Sequence, residues 1–537
     1  MTSGENGARQ PRSGWAAGSP LRKVVLFAGL ALVIAVSGWI IFDCLGCASF
    51  FGDEAIYASV SLNTLQTGVW LPLHHSHGRL YLDKPPLKIT LVTALFKVFG
   101  VSEFIARLPD ALFGVATIAL TYLLAARRYG VETGLLAAAV LLGAESYIIE
   151  HGVRDSCQDS LITLLALIVV WAWIGVREDV HRRRFWWWAA ALSAMSVGLC
   201  KNMLGVLFGL VILAIEIVPV ITHRRRTESF VAALKLVLVT VAVFALYSAL
   251  MIPLTDGRYA HKLYADVFVR ATTGLDPGHL NGPGYYLQRL AGDFGWWLLL
   301  LAPALVAVIG FRRRDRDTSA RFLFAWMVLV VAGFSVPVSK LPWYIYPAYP
   351  ALSLLVAVGG RELMRLAKWR SLQAALASVL LLLAAVRVAG VARAVATDVT
   401  VIDTDRFARS LASLEGAQLV VDERSIKPLG RLREWNRYYL RSVPGVTWIR
   451  RKGDGFEADA DSCVFLACGS PGAHPPSRAF PWRPIVRVRT SDPLAAPLWI
   501  LGTCDLDVPG TVGADAVFWE GLIAADGFEG GDLKDWH

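Results

Sequence analysis

Residues 51–86 read FGDEAIYASVSLNTLQTGVWLPLHHSHGRLYLDKPP, and from Asp53 to Pro86 this stretch carries acidic and basic residues, three histidines and a Pro-Pro pair. Apolar segments long enough to cross a bilayer lie before it and soon after it. A carboxylate at the bilayer centre costs about 2.5 to 3.5 kcal/mol even on a mild insertion scale, so charges set between spans belong at the interface or in a cavity. The stretch reads as an active-site loop, and the rest of the chain as what holds it.

Composition supports that frame. Of 537 residues, 55% are hydrophobic and 18% charged, with a mean hydropathy of +0.49, whereas an ordinary soluble domain is about 25% charged. The chain is a polytopic membrane protein, and the lipid bilayer is its first partner. The formal net charge of +10 invites a nucleic-acid reading, but the Arg and Lys clusters sit at the ends of apolar runs, where they set orientation. Nucleic acid is excluded as a partner.

Segments of spanning length fall near residues 24–42, 106–126, 133–150, 160–176, 185–200, 203–222, 230–252, 294–311, 321–338, 343–360 and 371–390. About eleven spans place Arg22-Lys23, Arg127-Arg128, Arg182 to Arg184, Arg224 to Arg226, Arg312 to Arg314 and the run from Arg361 to Arg370 on one side. By the positive-inside rule that side is cytoplasmic. Residues 1–20, rich in Gly, Ser, Ala and Arg, read as a disordered cytoplasmic tail before an uncleaved first span. Leu87 to Gly100 is apolar but short and carries Lys88 and Lys97, so it reads as an interfacial or re-entrant helix, as does Glu54 to Leu65.

The same topology gathers Asp53 to Pro86, Arg154 to Asp159, Lys201-Asn202, Pro253 to Asp293 and Ser339 to Tyr344 on the outer face. After Arg387 the composition becomes that of a soluble chain, and residues 392–537 read as a small α/β domain on the outer side, with AQLVVDE as a strand. The expected fold is therefore an all-α polytopic membrane domain over 21–391, with interfacial helices, followed by this domain. The seven cysteines give no zinc ribbon or disulfide framework. Cys44 and Cys47 either pair, if their side is oxidising, or remain two small interfacial thiols.

Two motifs carry chemistry. Asp53-Glu54 follows a span and precedes an interfacial helix; these carboxylates either cap the helix or take a proton from an incoming hydroxyl at the water boundary. In Asp83-Lys84-Pro85-Pro86 the prolines stop any helix entering from the N-terminal side and hold Lys84 at the start of the next segment. There it either snorkels or binds a phosphate together with backbone N–H groups.

Residues 51–114, together with RDSCQDSLITLLAL from Arg154, GLCKNMLG over 198–205 and SKLPWYIYPAYP over 339–350, resemble the GT-C superfamily of polyprenyl-phosphate-sugar glycosyltransferases. The aminoarabinose lipid A transferases and the protein mannosyltransferase-like group are the most similar members. The resemblance implies a polyprenyl-phosphate-linked sugar as donor, an outward-facing cavity in the cell inner membrane, and transfer to an outer-face acceptor: lipid A, another glycan or protein. It implies that Asp53 is the first-loop acid, with Glu54 beside it, and Asp159 the second acid. Lys84 meets the lipid phosphate, helped by Arg270 and Lys340. Tyr57, Tyr81, Arg154, Lys201 and Tyr344 are the candidate cavity residues, with anchoring of its helix at the interface the alternative role for Tyr344. The chain departs from the family pattern at Ile56, and at Asn202-Met203 where relatives carry Gly and Pro. A divalent metal held by Asp83 and His279 is a further expectation. A transporter of lipid-linked sugars would place polar residues or Gly/Pro breaks halfway through paired spans; here they gather at one face, which favours an enzyme.

Overall fold

In a computed structural model, the described residues are 20–75, 78–223, 227–274, 277–309, 317–398, 401 and 403–411. In the C-terminal region they are 418–422, 438–439, 447–451, 464–468, 483–488 and 498–502. Most of the expected N-terminal tail and much of the expected C-terminal domain lie outside them.

The first half comprises α1 (Pro20–Phe42), α2 (Gly52–Thr67), α3 (Leu87–Phe99), α4 (Glu103–Tyr129), α5 (Val131–Leu142), α6 (Glu145–Ile149), α7 (Asp159–Glu178), α8 (Arg183–Lys201), α9 (Leu204–His223) and α10 (Thr227–Leu254). The chain continues through α11 (Arg258–Tyr264), a π-helical turn over Ala265–Val269, α12 (Arg270–Thr272), α13 (Tyr285–Phe294), α14 (Leu301–Ile309), α15 (Thr318–Ser335), α16 (Tyr349–Leu366), α17 (Arg370–Thr397) and α18 (Asp403–Leu411). Segments Gly295–Leu300 and Pro342–Ala348 enter α14 and α16 as 3₁₀ turns.

Every expected apolar segment contains helix, but among the described residues eight helices are long and apolar enough to cross a membrane. The expected span over 133–150 breaks at Gly143, leaving an α5 of twelve residues, about 18 Å at 1.5 Å per residue and well short of a 30 Å hydrocarbon core. The α8 start carries Arg183 and Arg184, and the α16 end carries Arg361, Glu362 and Arg365, which removes both from the eight.

Helix α7 is the centre of the bundle: it packs on α4 and α8, and Trp173 and most of its neighbours are fully buried. By contrast α1, α10 and α17 expose Phe27, Trp39, Leu238, Leu246, Leu382 and Val386, as lipid-facing helices do. Helix α16 closes on the Gly295–Leu300 turn because Gly359 has no side chain: a Cβ there would collide with the Leu300 carbonyl.

The two interfacial expectations hold as helices. In α3, Lys88, Ile89, Val92, Thr93 and Phe96 form one buried stripe at helical spacing, and Lys88 does not snorkel. Its ammonium is paired with Asp110 of α4, which also accepts from Ser160. In the C-terminal region five strands, β1 (Gln418–Asp422), β2 (Thr447–Arg451), β3 (Val464–Cys468), β4 (Arg483–Val488) and β5 (Leu498–Gly502), form a sheet of order β2-β1-β3-β5-β4. Strand β1 runs parallel to β2 and β3, while β5 is antiparallel to β3 and β4.

Candidate active site

The adjacent carboxylates at the start of α2 have different surroundings, because successive helical residues diverge by about 100°. Glu54 turns inward and is buried. Arg107 of α4 binds it through two N–H groups, each at 2.7 Å, and the Ser156 amide donates to it at 2.7 Å. The same guanidinium donates to the carbonyls of Leu45, Ala48 and Ser49. Glu54 and Arg107 therefore tie α2, α4 and the segment before α7 together. Asp53 stays at the rim, where the Tyr57 hydroxyl one turn on donates to it at 3.4 Å.

At the start of α7, Asp159 accepts from the Lys201 ammonium at 3.1 Å. That ammonium also lies 4.5 Å from the Tyr344 ring centroid, an attractive cation–π arrangement. The Tyr344 hydroxyl accepts from Arg270 at 2.9 Å, while Arg270 Nε is buried without a partner among the described residues. His151 stacks on Trp343, with centroids 3.6 Å apart and rings 7° from parallel. Burial holds His151 below the usual imidazole range, opposed by Asp159 and Asp53.

Lys84 completes the group. It is half-buried, and among the described residues it makes no hydrogen bond or ion pair. Burial, and then the positive charges of Lys201 and Arg270, hold its ammonium below the ordinary lysine range, with Asp83 and Asp53 opposing. Three cations converge here, one of them unpaired among the described residues, an arrangement suited to holding an anion. Tyr81 belongs to the same place: it is buried, its hydroxyl has no partner among the described residues, and burial with Asp83, Asp53 and Asp266 pushes its phenol up.

Sequence reasoning missed the support beneath these cations. Lys262 bridges Asp83 at 2.6 Å and Asp266 at 2.8 Å, and Asp266 lies 3.8 Å from Arg270. Lys262, Asp266 and Arg270 recur every four residues, one face of a helix, and that spacing was the available signal.

Three expected site residues are used elsewhere. Lys340 is buried and gives its ammonium to the carbonyls of Asn281 (2.9 Å) and Pro337 (2.6 Å). Arg154 donates to the carbonyls of Ile41 and Asp43, capping the C-terminal end of α1 where unpaired carbonyls attract a cation. Glu54 has Arg107. The expected metal pair also fares differently: Asp83 is bound to Lys262, and among the described residues no three His, Cys, Asp or Glu side chains gather to hold a metal ion.

Asp155 adds a pH dependence. Its carboxylate accepts from the His151 amide at 2.6 Å, and burial, then the charge of Glu54, raise its pKa to about 8. An unfolded aspartate titrates near about 3.9, so the folded protein binds the extra proton between those values. The stability from this group is full below the unfolded value and is lost as pH rises through about 8. The melting temperature of the purified protein is expected to fall between pH 5 and 8, and Asp155→Asn to flatten that slope; an unchanged slope in the variant would assign it to another group.

Residues 83–248 match the family model for dolichyl-phosphate-mannose-protein mannosyltransferase. Among curated proteins, the chain is 28% identical over 309 residues to undecaprenyl phosphate-alpha-4-amino-4-deoxy-L-arabinose arabinosyl transferase 1 of Pseudomonas fluorescens, covering 57% of this chain and 54% of that one. The corresponding transferase of Yersinia enterocolitica is 26% identical over 308 residues, with the same coverages. The chain thus spans about half the length of the curated relatives it matches. Among solved structures, ArnT from Cupriavidus metallidurans bound to undecaprenyl phosphate superposes with a TM-score of 0.64 at 17% identity, over 91% of this chain and 99% of that one. The apo form gives 0.62 at 18% identity, over 90% and 98%.

The fold is that of the solved ArnT structures. Within it, the carboxylates of Asp53 and Asp159, the cations Lys84, Lys201 and Arg270, and the Tyr344 that joins two of them lie at one end of the bundle. The matched family segment begins at Asp83, immediately before the unpaired lysine.

Proposed function

We propose that the chain transfers a sugar from a polyprenyl-phosphate donor to an acceptor on the outer face of the cell inner membrane. The observation that carries this reading is the group of cations Lys84, Lys201 and Arg270 beside the Asp53 and Asp159 carboxylates. Breaking the bond from the anomeric carbon to the phosphate oxygen leaves the lipid phosphate with extra negative charge. Lys84 and Arg270 stabilise that charge more in the transition state than in the ground state. Asp53 accepts the proton of the acceptor hydroxyl as its oxygen attacks the opposite face of the sugar, giving inversion in one displacement. Asp159, oriented by Lys201, holds the sugar; an acceptor that is already a phosphate would need no base.

The periplasmic placement of the site belongs to this reading, as does the division into a membrane part over 21–391 and an outer-face part over 392–537. A bridge between Cys44 and Cys47, in the loop that precedes Asp53, supports an oxidising side. The relatives named as arabinosyl transferases, and the solved ArnT bound to undecaprenyl phosphate, support the donor class. The deciding experiment compares membrane lipids and surface glycans, by mass spectrometry, in cells with and without the gene. A sugar missing from one acceptor, with accumulated polyprenyl-phosphate donor, is the expected result. Unchanged glycans with the lipid-linked sugar trapped on the cytoplasmic leaflet would mean a flippase.

Lys262 gives a graded test of the same site. Its ion pair with Asp83 is partly exposed, and such pairs contribute about 0.2–1 kcal/mol. Lys262→Ala is expected to raise the donor KM roughly 2- to 5-fold with a smaller change in kcat. A loss confined to kcat would show that Lys262 acts in the chemical step.

A further inference from the structure

The loop between α1 and α2, which delivers Asp53, is gripped from the far end of the chain. Phe50 is wholly buried, and its ring meets Tyr438 edge-on with centroids 4.8 Å apart. The Tyr439 ring lies 6.3 Å from it, and the Tyr439 hydroxyl accepts from the Phe50 amide at 2.6 Å. One residue earlier, the Ser49 hydroxyl donates to Asp405 of α18 at 2.6 Å. Asp405 is itself held by Arg409, whose guanidinium also lies 3.5 Å from Glu103 at the start of α4.

The contact continues inward. The Arg107 guanidinium lies 5.1 Å above the Phe50 ring and binds both oxygens of Glu54, which in turn holds the Ser156 amide three residues before Asp159. One chain of close contacts therefore runs from Tyr438 and Tyr439 through Phe50, Arg107 and Glu54 to the turns that carry both candidate acids. Every link is buried, and neither tyrosine is among the groups lining the anion site.

We infer that Tyr438, Tyr439 and Phe50 are positioning residues through which the C-terminal region fixes the Asp53 turn for sugar transfer. The inference rests on the transferase reading above, and it gives that region a task independent of acceptor binding. A hydroxyl-to-amide bond and an edge-on ring pair set the height of Phe50. Arg107 and Glu54 then transmit that setting to a carboxylate that must lie within hydrogen-bond reach of the acceptor.

The test uses the full-length protein in detergent. Tyr439→Phe removes one hydroxyl and keeps the ring, and Tyr438→Ala removes the edge-on contact. Three quantities are read: amide hydrogen exchange over residues 49–57, binding of polyprenyl phosphate, and transfer kinetics. In Tyr439→Phe, exchange in this segment is expected to rise about 10-fold with α7 and α16 unchanged, lipid-phosphate affinity to stay within about 2-fold, and kcat to fall 10- to 100-fold. Tyr438→Ala should move the same quantities further, and Tyr438→Phe should restore them. Unchanged exchange over 49–57, or raised exchange with unaltered kcat, overturns the inference. If the wild-type protein transfers nothing from any polyprenyl-phosphate sugar, the transferase reading has failed, and with it the positioning role, while raised exchange would still separate that failure from absence of the clamp.

Discussion

Lys84→Ala is expected to abolish measurable transfer while the protein remains folded. The ammonium makes no hydrogen bond among the described residues, so its removal orphans no buried partner. Burial, and then the like charges of Lys201 and Arg270, hold its proton affinity down, so truncation relieves a desolvation cost and a repulsion. The melting temperature should therefore stay level or rise slightly. Activity should respond in the opposite direction, because a cation aimed at a leaving phosphate acts where negative charge develops, and removal of such a donor costs about 10²–10³ in kcat. Lys84→Arg should recover part of the rate through its retained charge, with altered geometry. Kinetics with a short-chain polyprenyl-phosphate sugar, alongside direct binding of the polyprenyl phosphate, check this. Near-normal transfer in Lys84→Ala would mean that the lipid phosphate does not bind at this cation group.

The apolar helices were legible because burial in lipid leaves long apolar runs with basic ends, and each expected segment contains helix; the number of crossings was not, since eight of the described helices are long and apolar enough. The places of Lys84 and Asp53 were legible for a related reason: a charge between spans has few places to go. Less visible was how charges were shared out once the chain folded. Arg154 looked like a cavity residue, but nothing in RDSCQD shows that the end of α1 lies beside it with unpaired carbonyls. Lys340 has the composition of a phosphate ligand, yet two loop carbonyls 3 and 59 positions away take its protons. Arg107, inside an apolar segment, was an intramembrane cation and by that fact a functional or structural marker, but its partner could not be named from sequence. The α5 break also depends on long-range packing: Arg387 of α17 donates to the Gly143 carbonyl, a contact between residues 244 apart.

The adjacent acids at the start of α2 should give opposite outcomes. Asp53→Asn keeps the volume and an oxygen to accept from Tyr57, so stability should change by less than about 1 kcal/mol, as for a substitution that leaves no buried group unpaired. Transfer should fall at least about 100-fold, the scale of a lost general base. Glu54→Gln removes the charge that Arg107 faces in a buried, bidentate pair. Breaking such a pair costs about 3–5 kcal/mol because the partner charge is left uncompensated, so the variant should melt many degrees lower and accumulate poorly in membranes. Its loss of transfer should track the amount of folded protein, whereas that of Asp53→Asn should persist per folded molecule. The double variant Glu54→Gln, Arg107→Met removes both buried charges and should recover much of the lost stability. Melting temperature and transfer per folded molecule, measured together for the three variants, separate the two carboxylates. Equal melting temperatures for Glu54→Gln and the wild type would show that the Arg107 pair does not hold the site together, and a full rate in Asp53→Asn would place the base elsewhere, with Asp159 the next candidate carboxylate.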